Sequence, residues 1–367
     1  MAQRPRRSPQ RGEPKSETNC CQLPTGLVGG RRMATENQWT RESLLELSRA
    51  FMLSRIFLSA AELGLFDVLA AKPLSLEDVC AQMQFKPRGV RILLDALAAN
   101  GLVSKDEKGQ YSMSEDMTRL LTTSSEESVL PMVLHGVALW KSWSNLTEVV
   151  RQGENVFRIR MDDRPDHEIE SFIGAMHVIG KKMAQRVAES LDLTRFKRLL
   201  DVGGASGTYV MAFLRCAPNL TATIFDLPRV TNIARARIEK EGFADRVTVT
   251  PGDYSKDELP SGYDLVLLSA IIHSNSREEN VELYKKAFRA LEPGGSILVR
   301  DYFMDATRTF PPGGAVFAVN MLVATRAGNT YTKEEVREDL ASAGFVNIRL
   351  VLDGTNMDQV IEGQKPR

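Results

Sequence analysis

The residues best placed to do chemistry cluster in the second half of the chain. In LLDVGGASGTYV (199–210) a hydrophobic run ends on Asp201 and turns at once through Gly203, Gly204 and Gly207. Glycine permits positive φ and lets a backbone approach a ligand closely. The helix expected to follow adds the positive end of its dipole. These glycines do not have the G-x-G-x-x-G spacing of a dinucleotide site. A second run ends in IFDLP, which puts Asp226 and Leu227 after it. A carboxylate there can accept hydrogen bonds from both hydroxyls of a ribose. A third ends in PGDY, with Gly252, Asp253 and Tyr254. An acid there can receive an adenine amino group while neighbouring side chains cover the ring. One such acid serves equally well as a helix cap, but three successive strand ends marked by an acid or a glycine turn point to a nucleoside-type ligand.

The elements that must position these residues follow from periodicity. After Phe196, short β-branched or leucine-rich runs alternate with helical segments. That alternation predicts an α/β domain with a mainly parallel sheet wound on both faces. Ligands in such sheets lie at the carboxyl ends of the strands, where all three motifs fall. Upstream, residues from Trp39 to about Asn100 have helical spacing. Ser75 and Asp78 predict a capping box, and Asn100-Gly101 a helix end. LVSKDEKGQYSMS predicts a hairpin turning at Lys108-Gly109. Helix, helix, hairpin is the outline of a winged helix, with Lys86, Arg88 and Arg91 on the helix that would read DNA. Between 115 and 195 more helix is expected. One segment carries His135, Trp140 and Trp143, and the next Phe172, Met176 and His177. Such stripes either pack a core or line a small-molecule pocket.

At 367 residues the chain suits two domains. Lys+Arg and Asp+Glu are both 47, a balance that argues against a nucleic-acid binder, which usually carries a basic excess. The four cysteines, Cys20, Cys21, Cys80 and Cys216, make neither a disulfide framework nor a zinc spacing. No cluster of His, Asp and Glu has metal-ligand spacing, so no metal is expected. No apolar run approaches the roughly 20 residues needed to cross a bilayer, and a cytoplasmic protein without membrane contact is expected. Residues 1–38, rich in Arg, Pro and Gly, are expected to be a disordered tail, and Met33 would make an alternative start. The organisation expected is this tail, a winged-helix-like domain over 39–125, linker and pocket helices over 126–195, and an α/β domain over 196–367.

From roughly residue 39 to 367 the chain resembles the small-molecule O-methyltransferases grouped with acetylserotonin, caffeate and hydroxyneurosporene methyltransferases. LLDVGGASG resembles their D-V-G-G-G-x-G, with Ala205 in place of the third glycine. FDLP resembles their ribose strand, and PGDY their G-D-M/F-F. LEPGGSILVRD and NMLVATRAGNTYTKEEVREDLASAGF resemble later family segments. The resemblance implies a Rossmann-like class I methyltransferase domain that binds S-adenosylmethionine. It also implies that the all-helical, winged-helix-like domain before it serves homodimerisation. The cofactor site would comprise Asp201, Gly203, Gly204, Gly207, Asp226, Leu227, Gly252, Asp253, Tyr254 and Ser269.

The same resemblance implies that His273, in AIIHSNSREEN, is the base for a substrate hydroxyl or orients it, with Asp301 behind it. Ser274 and Asn275 stand where the family has Asp and Trp, and Thr330 where it has Glu. Asn320 and Met321, with Met176 and His177, would face a small, aromatic or cyclic acceptor. Methyl transfer to oxygen is the leading expectation. C-methylation, or decarboxylation or hydroxylation on the same fold, is the alternative that the altered residues keep open. A dimeric DNA-binding ligand sensor with a vestigial methyltransferase domain is the alternative from another class.

Overall fold

The structure, a computed structural model, describes residues 39–155 and 165–367. The tail expected over 1–38, with Cys20 and Cys21, lies outside the described residues; Cys80 and Cys216 are free thiols. Contacts divide the chain into Met1–Phe51 and Met52–Arg367. The first unit contributes the opening of α1 (Arg41–Glu62), where Leu44, Leu45, Leu47 and Phe51 are exposed.

The second unit continues α1 and adds α2 (Leu65–Leu69), α3 (Leu76–Met83) and α4 (Pro87–Ala99). The Ser75–Asp78 capping box is formed, each side chain meeting the other residue's backbone N–H. A short hairpin, β1 (Ser104–Lys105) and β2 (Tyr111–Ser112), precedes α5 (Glu115–Leu121). The winged-helix outline is therefore present, and its hairpin makes the segment not purely helical. Its core gathers Phe66, Leu69, Leu94, Leu97 and Tyr111. Then come α6 (Leu130–Trp143), α7 (Leu146–Gln152) and the long α8 (Asp166–Glu189).

Alternation begins at β3 (Arg198–Val202), followed by α9 (Thr208–Cys216), β4 (Thr221–Asp226), α10 (Pro228–Lys240), β5 (Val247–Pro251) and β6 (Tyr263–Ser269). After a 3-10 turn at Ile272–Ser274 come α11 (Arg277–Ala290), β7 (Leu291–Asp301), β8 (Phe303–Met304) and α12 (Pro312–Ala324). The chain closes with β9 (Tyr331–Thr332), α13 (Lys333–Ser342), β10 (Val346–Leu352) and β11 (Gln359–Gln364).

The main sheet has the order β10-β11-β7-β6-β3-β4-β5. β7, β6, β3, β4 and β5 run parallel, and β11 pairs antiparallel with both β7 and β10. Side chains alternate between two cores, as the pleat requires. Leu199, Ile224, Leu265 and Leu267 pack with Val210 and Phe213 of α9 on one face. Leu200, Phe225, Val266 and Leu268 pack with Leu283 and Tyr284 of α11 and Leu340 of α13 on the other. The sheet is thus doubly wound, a Rossmann-like fold, and its parallel strands deliver their carboxyl ends to one edge.

Candidate active site

Asp201 is the penultimate residue of β3, one before the Val202 that ends it, and its two oxygens are buried without a hydrogen-bond partner among the described residues. Burial pushes its carboxyl up to about 7, with Asp226 adding to the rise and Arg300 opposing it. The turn after β3 is fixed by its glycines. Gly203 and Gly207 have φ of 68° and 73°, and Ala205 joins them at 50°. A Cβ at Gly204 would stand 2.5 Å from Asp201 Oδ2, so the turn presses its backbone onto the buried acid.

At the end of β4, Asp226 accepts from the backbone N–H of Ala205 at 2.8 Å and of Leu227 at 2.7 Å. The second strand end thereby pins the glycine turn of the first. Each carboxylate oxygen has a further lone pair for another donor. Burial raises the Asp226 carboxyl, and the two amides act against it. Gly252 follows β5 so closely that a Cβ there would stand 2.1 Å from the Phe225 ring. Asp253 caps its own turn, accepting from Ser255 Oγ at 2.6 Å and pairing with Lys256 at 2.8 Å. Its carboxylate therefore already has partners, unlike that of Asp201. The Tyr254 hydroxyl donates to Asn275 Oδ1 at 3.3 Å. Ser269, at the end of β6, accepts from Arg300 Nε at 2.7 Å.

His273 sits in the 3-10 turn beyond β6 and is buried. Its Nδ1 lies 2.9 Å from both oxygens of Asp301, at the end of β7. Adjacent parallel strands thus bring together two residues 28 apart in sequence. Phe317 of α12 meets the imidazole edge-on at 4.8 Å between centroids, and Tyr302 lies 5.3 Å from Phe317. Thr330 is buried, and its carbonyl accepts from Arg308. Its loop packs on the histidine turn: a Cβ at Gly328 would stand 2.3 Å from the His273 carbonyl oxygen.

The helices supply the other wall. Asn320 Oδ1 accepts from Trp143 Nε1 at 2.9 Å, joining α12 to α6. His135 and Phe172 join α6 to α8 at 5.2 Å between centroids. Met321 is buried and Met176 partly so. His177 departs from the group it was expected with. Its Nδ1 lies 2.8 Å from Thr208 Oγ1, and Ser206 Oγ lies 2.9 Å from the same hydroxyl, at the start of α9. Burial, then the charges of Arg237 and Lys181, push its pKa down to about 4, so it is neutral at physiological pH. It abuts the glycine turn because α8 packs along α9.

Sequence reasoning missed Phe317, although it lies three residues before Asn320 and so shares its helix face. It also missed Arg300, Ser206 and Thr208, which lie within or beside the quoted segments but were given no role there. Among the described residues, no three His, Cys, Asp or Glu side chains converge to hold a metal ion, and no helix is long and apolar enough to cross a membrane.

The buried acid without a partner, the close-packed glycines and the strand-end carboxylate fit an S-adenosyl nucleoside. Comparison with known proteins agrees. Residues 143–346 match the model of the O-methyltransferase domain, and residues 45–124 that of the O-methyltransferase dimerisation domain. The second match falls on the segment for which DNA binding was the alternative. The chain is 32% identical to the tetracenomycin polyketide synthesis 8-O-methyl transferase TcmO of Streptomyces glaucescens, over 88% of this chain and 96% of that one. It is 29% identical to the acetylserotonin O-methyltransferase of Gallus gallus, over 89% and 99%. The crystal structure of human N-acetylserotonin methyltransferase in complex with SAM superposes with a TM-score of 0.78 at 26% identity, covering 91% of this chain and 100% of that one. With its fold, its strand-end acids and these matches taken together, the chain belongs to the O-methyltransferase family and is an S-adenosylmethionine-dependent methyltransferase.

Proposed function

We propose that the acceptor is a small aromatic molecule methylated on a hydroxyl oxygen, with His273 as the base and Asp301 holding it. The observation that carries this reading is the commitment of His273 Nδ1 to both Asp301 oxygens. An ionised carboxylate only accepts hydrogen bonds, so Nδ1 carries the proton and Nε2 presents its lone pair to a substrate. Asp301 also stabilises the imidazolium once Nε2 has taken the hydroxyl proton.

S-adenosylmethionine, when bound, supplies a methyl group on a sulfonium, so alignment with the acceptor and exclusion of water give much of the rate. Asp201, the turn through Gly203, Gly204 and Gly207, and Asp226 with Leu227 would hold it from the β3 and β4 ends. Gly252, Tyr254 and Ser269 would close the far side. Asp253, engaged with Ser255 and Lys256, would act mainly by shaping that turn. His177 would brace the start of α9 through Thr208.

The acceptor would lie against Phe317, Tyr302 and Asn320, with Met321, Met176, Trp143 and Phe172 behind them. Aromatic faces and edges around the imidazole favour a planar ring. With Thr330 where the family has Glu, the base relies on Asp301, which favours phenols over less acidic alcohols. The relatives' named acceptors, acetylserotonin and a tetracenomycin polyketide, agree with a ring hydroxyl. Homodimerisation through the helical domain accords with the match over 45–124 and with the exposed apolar residues of α1. A dimeric mass in light scattering is expected.

The test is a panel of planar phenols incubated with S-adenosylmethionine and followed by mass. Wild-type protein should yield O-methyl ethers with one S-adenosylhomocysteine per product, and His273→Ala should be strongly impaired. Turnover unchanged in His273→Ala, or a product methylated on carbon, would refute the reading.

A further inference from the structure

Asn280 is a fully buried amide on α11, 2% exposed, and no part of the mechanism above uses it. Its Nδ2 donates to the carbonyl of Ile272 at 2.9 Å, one residue before His273. Its Oδ1 accepts from Asn275 Nδ2 at 3.0 Å. Asn275 Oδ1 in turn accepts from the Tyr254 hydroxyl at 3.3 Å. A backbone carbonyl can only accept, so it settles the direction of the whole chain. Asn280 must turn its NH₂ toward Ile272 and its oxygen toward Asn275. Asn275 must then present its NH₂ to Asn280 and its oxygen to Tyr254, which leaves Tyr254 as the donor. Burial, with Asp226 and Asp253 adding to it, pushes the Tyr254 phenol up to about 12, which keeps that donor protonated. The carbonyl of Asn275 is separately held by the Tyr331 hydroxyl. The turn bearing His273 is thus tied at one end to α11 and at the other to the β5 end.

We propose that Tyr254, Asn275 and Asn280 form a hydrogen-bonded strut that positions His273 and links its setting to occupancy of the cofactor crevice, with Asn280 as the positioning residue at its centre. The proposal rests on the reading of Tyr254 as part of the cofactor wall. In a buried polar chain each member fixes the orientation of the next, so a ligand that orders Tyr254 also orders the His273 turn.

Histidine side-chain NMR reads this directly, because the chain has four histidines and His273→Gln assigns the relevant signals. S-adenosylhomocysteine is titrated into wild type, Asn280→Leu and Tyr254→Phe, with its affinity measured by calorimetry in parallel. In wild type the His273 ring signals should shift on binding. In both variants that shift should be lost, and in Asn280→Leu, which alters no residue of the cofactor wall, affinity should weaken by less than about threefold. Should Asn280→Leu fail to fold, Tyr254→Phe, which deletes one oxygen at the far end of the strut, carries the same test. A His273 shift of equal size in wild type and a folded variant would overturn the proposal, as would a wild-type protein that binds the ligand with no shift. A wild-type protein that does not bind S-adenosylhomocysteine at all would instead overturn the cofactor reading, and the strut with it.

Discussion

The strand-side wall, from Asp201 to Tyr254, and the helix-side wall, from Trp143 to Asn320, are shaped by different forces. On the strand side, each functional group stands within a few residues of a strand end. Its placement follows from sheet pairing, as when Asp226 reaches the Ala205 and Leu227 amides. On the helix side, contacts join residues far apart in sequence, and the Trp143–Asn320 bond spans 177 positions. The first wall is a property of local sequence, and the second of tertiary packing.

The sharpest way to separate the walls is to remove His273, which stands where they meet. His273→Ala should lower kcat by about 10²–10⁴-fold, the usual worth of a positioned base, with S-adenosylhomocysteine affinity nearly unchanged. Steady-state kinetics beside calorimetry reads both. Asp226→Ala attacks the strand side alone. It frees the Ala205 and Leu227 amides and should weaken S-adenosylhomocysteine by about 100-fold, roughly two charge-assisted hydrogen bonds.

Asp201 offers a test without ligand. Its folded pKa of about 7 lies above the ordinary 3.8, so the unfolded chain gives up this proton first. Stability should therefore fall as pH rises from about 4 to about 7, then level off. Asp201→Asn should remove this fall, worth on the order of a few kcal/mol, in thermal melts across that window. An identical pH profile for both proteins would show that Asp201 is not held in a desolvated site. The smallest effect is expected on the helix side. Trp143→Phe keeps an aromatic side chain but loses the pyrrole part of the indole with its hydrogen bond to Asn320, which should raise acceptor KM about fivefold and leave cofactor affinity alone.

The same contrast explains what the sequence made legible. The α/β class, the Ser75–Asp78 cap and the glycine turn could be read because consecutive residues carry them. The antiparallel addition of β10 and β11 could not. In β11, Gln359 and Glu362 interrupt the apolar pattern, yet both are buried. Gln359 accepts from the Phe303 backbone N–H, and Glu362 is satisfied by Ser296, Arg195 and Arg349. Partners supplied from elsewhere in the fold hide a strand from a hydrophobic pattern. His177 shows the same limit. Its helical spacing beside Met176 is local, but its pairing with Thr208 depends on how α8 lies along α9. Asn275 and Asn280 look like ordinary polar residues at the start of a helix, and only the fold makes them a chain.

The most direct test of the two-wall division is calorimetric titration of S-adenosylhomocysteine into wild type, His273→Ala and Asp226→Ala. Equal affinity in wild type and His273→Ala, with a large loss in Asp226→Ala, is the expected result. A loss in His273→Ala as large as that in Asp226→Ala, or no binding by the wild type, would contradict it.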